Sequence, residues 1–459
     1  MLISISGREG FSAPGLKKQI SALQSEGIEA GIQVYSLGKK KRLFSYQENK
    51  PLMVASNLKI LTSLVALKML GPDFRFKTSI YTDGKISGKT LHGNLFIKGF
   101  GDPKLVSEQL WYLTNDLVRK GFQTVTGDLI LDDTYFDAER DVEQSDGKNG
   151  ERAFDASLGA LSVNFNTTAI YVQPGNKPKQ KARVYVDPDN DYINIQNQSK
   201  TGEATDSLTL NVSRLSGKKG DTILVTGIIP WGYSEMRFYR NISDPSKYAA
   251  ALFRRFFKER GISIYGKNRY ESIPSHVHEL MTYESQPMRH MIADLNRFSN
   301  NFIAEQILKT VGGETKGLPG TTDKGVSVLK DFLKSLNVQG DFQVVNGSGL
   351  SQKNKLSAAQ LVTVLKAGYE HFEWGPEYVS SLSIMGVDGT LEKRLKNTSA
   401  YRHVRAKTGS LTGVSGISGY VGTESGDILA FSLLMNDPKD RYLLMQKTQD
   451  EILLQLCEW

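Results

Sequence analysis

The hydrophobic pattern changes period several times along the chain. Leu16, Ile20 and Leu23 share one helical face within residues 12–26, with Ser12 able to cap and Pro14 suited to the first turn, so a helix is predicted there. Alternation then predicts two strands, Glu29 to Leu37 and Arg42 to Tyr46, joined by a turn at Gly38–Lys41. Val54–Lys59 runs into an apolar stretch at helical spacing, Ile60 to Leu70, which stops at Gly71-Pro72. From about residue 75 to about residue 277 the texture is β-rich: short alternating runs such as Leu91–Lys98, Gly127–Leu131, Lys181–Val186 and Thr222–Gly227 are punctuated by Gly, Asp and Asn. Helical spacing returns at Met288–Leu308, Ser327–Leu336 and Ala358–Tyr369. Gly416–Val421 and Ile428–Met435 then read as strands, and Arg441–Trp459 as an apolar-faced helix that packs on a sheet or lies on a membrane surface.

This order, helix–strand–strand–helix, a long β-rich insert, then helices and strands, predicts one α/β domain interrupted by other material. A length of 459 residues carries a prior of two to three domains at about 150 residues each. With 43 glycines and 14 prolines the chain is neither collagenous nor of low complexity. Its one cysteine, Cys457, excludes an intramolecular disulfide and any multi-cysteine metal cluster. The net charge of +8 favours anionic partners, but the basic residues are scattered. Their longest run, Lys39-Lys40-Lys41-Arg42, is a solvated turn or a polyanion contact. No apolar run reaches the roughly 18 residues of a membrane span. His276 and His278 share a strand face by geometry alone and are expected to be plain surface histidines.

Three short motifs bear chemistry. In Ser56-x-x-Lys59 the two side chains share a helix face. A serine is a poor nucleophile until a base takes its proton, and a lysine serves if burial or nearby cations lower its pKa; the same spacing is also met by a helix cap and a solvated lysine. Ser299-Asn300-Asn301 opens an apolar helix carrying Phe302, Ile303, Ile307 and Leu308, and is a functional triplet or an ordinary cap. Lys407-Thr408-Gly409-Ser410 precedes a strand; either the glycine leaves room at a strand edge for a ligand, with the lysine and threonine holding a carboxylate, or the four residues form a turn.

Together and in this order, Ser-x-x-Lys, Ser-x-Asn and Lys-Thr-Gly form the signature of penicillin-binding proteins and class A β-lactamases. Ser56 and Ser299 stand 243 residues apart, and Ser299 and Lys407 stand 108 apart. A compact β-lactamase has a far shorter first gap. The chain resembles the low-molecular-mass class C penicillin-binding proteins, the D-alanyl-D-alanine carboxypeptidase/endopeptidase family. Further stretches carry the resemblance from about residue 14 to 440: Gly93–Gly99 with Gly101-Asp102-Pro103, Gly127–Leu129 with Asp132–Phe136, Ser162–Asn166, Asn346–Ser351 and Gly386–Leu391.

The resemblance implies a transpeptidase-like catalytic domain from residues 1–72 plus 277–459, an antiparallel sheet with helices on both faces. A β-rich insert of 73–96 plus 160–276 would interrupt it, with a smaller domain, 97–159, nested inside. It implies a peptidoglycan hydrolase without metal or cofactor, in which Ser56 is acylated by stem peptides or penicillin and Lys59 is its general base. Ser299 would relay a proton to the leaving D-alanine, Asn301 would hold the substrate amide, and Lys407 would tune the proton network. Thr408 would bind the terminal carboxylate, with Gly409, Ser410 and Thr412 on the same substrate-binding strand, and the N–H groups of Ser56 and Ser410 would form the oxyanion hole.

The expected partners are stem peptides, cross-links and β-lactams, with no nucleic acid and no membrane span, in a monomer or weak homodimer. Peptidoglycan places the work in the periplasm or at the cell surface. Met1–Gly7 lacks signal-peptide features, so a signal is inferred to have been removed. Two family charges are absent. The arginine expected after Gly-Ser-Gly-Leu-Ser is Gln352, and the insert aspartate that would share a diaminopimelate end with it falls on Asn149; the aspartate expected before Gly347 is likewise Asn346. The rival readings are a β-lactamase and a catalytically silent wall-binding protein.

Overall fold

The computed structural model describes residues 13–141 and 150–459. Ser12 and Asn149 lie outside the described residues. The frame is a six-stranded antiparallel sheet in the order Lys41–Tyr46, Glu29–Ser36, Ile428–Asn436, Val414–Gly422, Val404–Leu411, Ser383–Ile384. The first two strands come from the start of the chain and the rest from its end, with Ile32 opposite Leu433. The central strands are buried almost throughout, because helices cover both faces. Strand alternation divides the Ile428–Asn436 side chains. Phe431, Leu433 and Met435 pack with helices α1 (Ala13–Ser25) and, from the chain end, Tyr442–Cys457; Ala430 and Leu434 join the opposite core. The C-terminal helix therefore packs on the sheet, through Met445, Ile452, Leu453 and Leu456.

The opposite core is built on helix α2 (Lys59–Leu70), which is buried from Lys59 through Leu67. The chain leaves this core at Phe76 and returns at Ser285, and the two exchange hydrogen bonds: Phe76 N donates to Ser285 Oγ at 3.0 Å and Ser285 N to Phe76 O at 2.9 Å. Between them lies the insert. Its outgoing strand Lys77–Thr82 and returning strand His278–Glu284 are antiparallel neighbours in a five-stranded sheet with Leu95–Gly99, Leu129–Asp132 and Asn268–Tyr270. The domain limits are redrawn by these pairings. The 96/97 boundary falls inside Leu95–Gly99, and Leu129–Asp132, from the segment expected to be separate, pairs in parallel with strands on either side.

The region read as β-rich also holds two helices, α3 (Ser107–Val118) and α4 (Pro245–Glu259). Both bury an apolar stripe in the insert core, Leu110, Leu113 and Leu117 from one, and Tyr248, Leu252, Phe253 and Phe257 from the other. Asp244 caps α4 by accepting from Lys247 N at 3.1 Å, and Pro245 fills its first position. The remaining helices, α5 (Met288–Phe298), α6 (Asn301–Lys316), α7 (Thr322–Ser335), α8 (Ala358–Glu370) and α9 (Gly375–Ser381), complete the α2 core.

Candidate active site

Val54–Leu70 is not one uniform helix. Ala55–Leu58 forms a tight 3-10 turn and α2 begins at Lys59. Ala55 sits at φ 46°, in the left-handed region that L residues avoid unless the surroundings impose it. Two glycines make room for the turn. A Cβ on Gly349 would stand 1.9 Å from Ala55 O, and one on Gly409 would stand 2.6 Å from Val54 O and 2.4 Å from Asn57 Nδ2. The glycine of Lys-Thr-Gly is thus required by the close approach of strand Val404–Leu411 to the turn that carries Ser56.

Met288–Leu308 reads as one helical run in the sequence, but it breaks at Ser299, which ends α5 at φ 54°. Asn300 is the cap of α6, accepting from Ile303 N at 3.0 Å. The capping role thus belongs to the middle residue and frees its two neighbours. Asn301 Oδ1 accepts from Lys59 Nζ at 2.8 Å, and Ser299 Oγ accepts from Lys407 Nζ at 2.9 Å. Asn296 fixes the geometry by bridging α5 to α2, donating to Ser63 Oγ at 3.2 Å and to Ser381 Oγ at 2.8 Å.

Each lysine therefore meets one serine. Lys59 Nζ lies 2.9 Å from Ser56 Oγ and donates to Ser348 O at 2.6 Å. Lys407 donates to Thr408 O at 2.8 Å. Both lysines are fully buried. Burial lowers the Lys59 pKa from 10.5 to about 7, against the opposing attraction of Glu305. Burial, helped by the neighbouring Lys59 charge, holds Lys407 well below the usual lysine range. Glu305 is itself buried, and burial raises its pKa although its carboxylate accepts from Gly347 N at 3.0 Å and Ser348 N at 2.7 Å.

The strand that carries Lys407 pairs with Ser383–Ile384 only at Arg405 and Ala406. Among the described residues, its edge from Lys407 to Leu411 is unpaired by any further strand. Thr408 Oγ1 donates to Thr390 Oγ1 at 2.8 Å, and the exposed Ser410 donates to Tyr442 Oη at 3.3 Å. Gln352 and Thr412 line a separate cleft of about 380 Å³ with Met53, Lys355 and Asp437. Asn346 folds the Gly-Ser-Gly loop, accepting from Gly349 N at 3.0 Å.

The geometry brings Ser56, Lys59, Ser299, Asn301, Lys407 and Thr408 together and leaves Gln352 and Thr412 in the neighbouring cleft. Sequence reasoning missed Glu305, Ser348 and Thr390. A signal for Glu305 was present: it is a carboxylate inside the apolar first half of α6, four residues after Asn301.

Residues 16–453 match the D-Ala-D-Ala carboxypeptidase 3 (S13) family. The chain belongs to that family. It is thereby a serine-type D-Ala-D-Ala carboxypeptidase of the penicillin-binding class. This S13 carboxypeptidase is 31% identical to the D-alanyl-D-alanine carboxypeptidase of Actinomadura sp. (strain R39), over 99% of this chain and 87% of the relative. It is similar in fold to penicillin binding protein 4 (dacB) from Haemophilus influenzae, with a TM-score of 0.83 and 23% identity over 96% of this chain and 99% of the other. A penicillin G-acylated form of the Bdellovibrio bacteriovorus predatory endopeptidase Bd3459 matches with a TM-score of 0.53 and 15% identity over 94% of each chain. Among the described residues no helix is long and apolar enough to cross a membrane.

Proposed function

We propose that this carboxypeptidase works through Ser56 as an acylated nucleophile, cleaves cross-links as well as terminal D-alanine, and is acylated by penicillin at the same atom. The hydrogen-bond directions around Lys59 carry the reading. A neutral amine has two N–H bonds and one lone pair. Asn301 Oδ1 and Ser348 O can only accept, so they take the two N–H bonds. Ser56 is the one hydroxyl of the three, so it alone can turn its O–H toward the lone pair. Lys407 differs: Thr408 O is its one fixed acceptor, so its second N–H is left to donate to Ser299 Oγ.

In the proposed reaction Ser56 Oγ attacks the carbonyl carbon of the penultimate D-alanine and its proton passes to Lys59. The tetrahedral intermediate collapses, the C–N bond breaks, and the leaving amine takes a proton through Ser299, replenished by the lysine pair. Water then attacks the ester and frees Ser56. An extended stem peptide adds alongside the open Lys407–Leu411 edge by strand addition. Its terminal carboxylate meets Thr408 and Thr390, and the N–H groups of Ser56 and Ser410 stabilise the oxyanion. A carboxypeptidase releases one amino acid where an endopeptidase releases a second peptide, and the open edge accommodates either. The Bdellovibrio relative of similar fold, an endopeptidase, supports cross-link cleavage. We place the enzyme at the wall, in the periplasm or on the cell surface, and take residues 77–284 as the insert unit. The test is labelling with a fluorescent penicillin followed by peptide mapping and muropeptide digestion. The adduct is expected on the Ser56 peptide, with both terminal and cross-link products; equal labelling of Ser56→Ala would overturn the assignment.

A further inference from the structure

The catalytic site occupies the chain ends, yet most of the exposed aromatic surface lies on the insert. Three clefts there join end to end around helices α3 and α4. The first, of about 290 Å³, lies over Asn190, Asp191, Arg254 and Arg255. The second, of about 490 Å³, shares Arg255 with it and is walled by Tyr171, Tyr185 and Asp187. The third, of about 350 Å³, shares Ser107 with the second and is bounded by Trp111 and Tyr112. They make one open trough with aromatic rings at two stations.

The rings are fixed in place. Tyr171 and Tyr185 stack at 5.1 Å with their planes 6° apart, and the Tyr185 hydroxyl is anchored on Glu235. Arg260 stands 5.4 Å from the Trp111 ring. Even so, Tyr185, Trp111 and Tyr112 remain 42%, 44% and 61% exposed. Exposed aromatics held rigid beside polar groups are uncommon on a surface that meets only water. Between the rings lie planar hydrogen-bonding groups. Arg255 is held by Asp189 at 3.2 Å and by Glu259 at 2.5 Å. Asp187, Asp189 and Asp191 share the trough with Arg254, Arg255 and Lys258, so it offers no single-sign field for a polyanion. Flat rings that meet C–H faces, alternating with planar groups that bind adjacent hydroxyls and acetamides, match a neutral polysaccharide.

We propose that this trough binds the glycan strand of peptidoglycan, a polymer of N-acetylated amino sugars, and holds the enzyme on the wall while the catalytic domain samples stem peptides. The proposal rests on the peptidase reading above for its choice of polymer, but its test does not use catalysis alone. Wild-type protein and Ser56→Ala should co-sediment equally with chitin, an insoluble and uncharged polymer of N-acetylglucosamine. The double variant Trp111→Ala/Tyr185→Ala should lose about tenfold in that binding and in kcat/KM on intact sacculi, while keeping wild-type kcat/KM on a soluble D-Ala-D-Ala pentapeptide. Tyr112→Ala, at a more exposed ring, gives the same readout without risk to the fold. Absence of binding to chitin, or binding unchanged in these variants, overturns the proposal. Loss of hydrolysis of the soluble peptide in the wild type would instead count against the peptidase reading.

Discussion

Lowering the pH from 8 to 6 should slow acylation of Ser56 about tenfold, because Lys59 must be neutral to take its proton. With a pKa of about 7, roughly nine-tenths of the lysine is neutral at pH 8, half at pH 7 and a tenth at pH 6. A lysine at 10.5 would be neutral in only about one molecule in three thousand at pH 7. The difference is worth about 5 kcal/mol and comes from burying the ammonium. The sign is that of a base: activity is present above the pKa and is lost as the pH falls through it. Glu305 tests the cause. Its charge opposes the depression of Lys59, so Glu305→Gln should move the acid limb to still lower pH. A full unit charge a few ångströms away at an effective dielectric constant of about 20 gives roughly 3 kcal/mol, or about two pH units. A downward move of about one to two pH units is expected. The glutamine has one acceptor oxygen where the carboxylate has two for Gly347 N and Ser348 N, so a stability loss of about 1–3 kcal/mol should accompany it. The assay is the second-order rate constant for acylation by a fluorescent penicillin between pH 5 and 9, with thermal melts at each pH. A limb centred near 10, or one that Glu305→Gln leaves in place or moves upward, refutes the assignment of Lys59 as base.

Lys59→Arg keeps the charge but cannot deprotonate, and should lower acylation by at least about 10²-fold in the same assay. Gly409→Ala would drive a methyl group into Val54 O and Asn57 Nδ2, so it should cost about 1–3 kcal/mol in denaturant unfolding and slow acylation by displacing the Ser56 turn. Thr390→Ala removes the hydroxyl that receives Thr408, and should raise KM for a D-Ala-D-Ala peptide about five- to tenfold with a smaller effect on kcat. Gln352 offers a neutral amide where the resemblance leads one to expect an arginine, so kcat/KM should favour a free over a blocked diaminopimelate end by only about tenfold; a preference above about 10²-fold sinks that expectation.

The parts of the site legible in the sequence are those whose geometry is local. Ser56 and Lys59 lie on neighbouring turns of one segment, and Ser299 and Asn301 flank a single cap, so spacing alone predicts which side chains travel together. Glu305 and Thr390 act across the fold. One meets the Gly347–Ser348 backbone, the other a strand 18 residues away, and no local pattern encodes those encounters. Four of the six sheet strands and the terminal helices were legible from their apolar runs, whereas Val404–Leu411 read as a strand edge or a turn and the two-residue strand Ser383–Ile384 is too short to show a period. The break at Ser299 was legible only in part: the polar triplet reads as a helix opening, while the apolar spacing runs on from Met288 to Leu308 and hides the left-handed φ that ends the first helix. Helices α3 and α4 were masked by the Gly-, Asp- and Asn-rich runs around them, although Leu110, Leu113 and Leu117, and the Asp244-Pro245 start, carry ordinary helical signals.

The two lysine–serine pairs are built alike but are not electrically alike, and the difference gives the proposed proton path a direction. Beneath Lys59 lies Glu305, which offsets part of the burial penalty and leaves the amine poised near pH 7. Lys407 has the Lys59 charge added to its burial, so it resists protonation whenever Lys59 is charged. A proton taken from Ser56 therefore rests on Lys59, and the Lys59 charge in turn disfavours protonation of Lys407, which donates an N–H to Ser299 Oγ and keeps its lone pair for the Lys59 proton. When the leaving amine draws a proton from Ser299, the deficit returns through the lysines to the proton on Lys59. Its discharge restores the free enzyme's charge distribution while the acyl group is still on Ser56. On this argument Lys407→Met should impair departure of the amine more than attack by Ser56. A β-lactam, whose leaving nitrogen stays tethered in the opened ring, should then acylate the variant with a smaller rate deficit than a peptide substrate does. Equal deficits for the two substrates in pre-steady-state acylation would mean that Lys407 serves the attack itself.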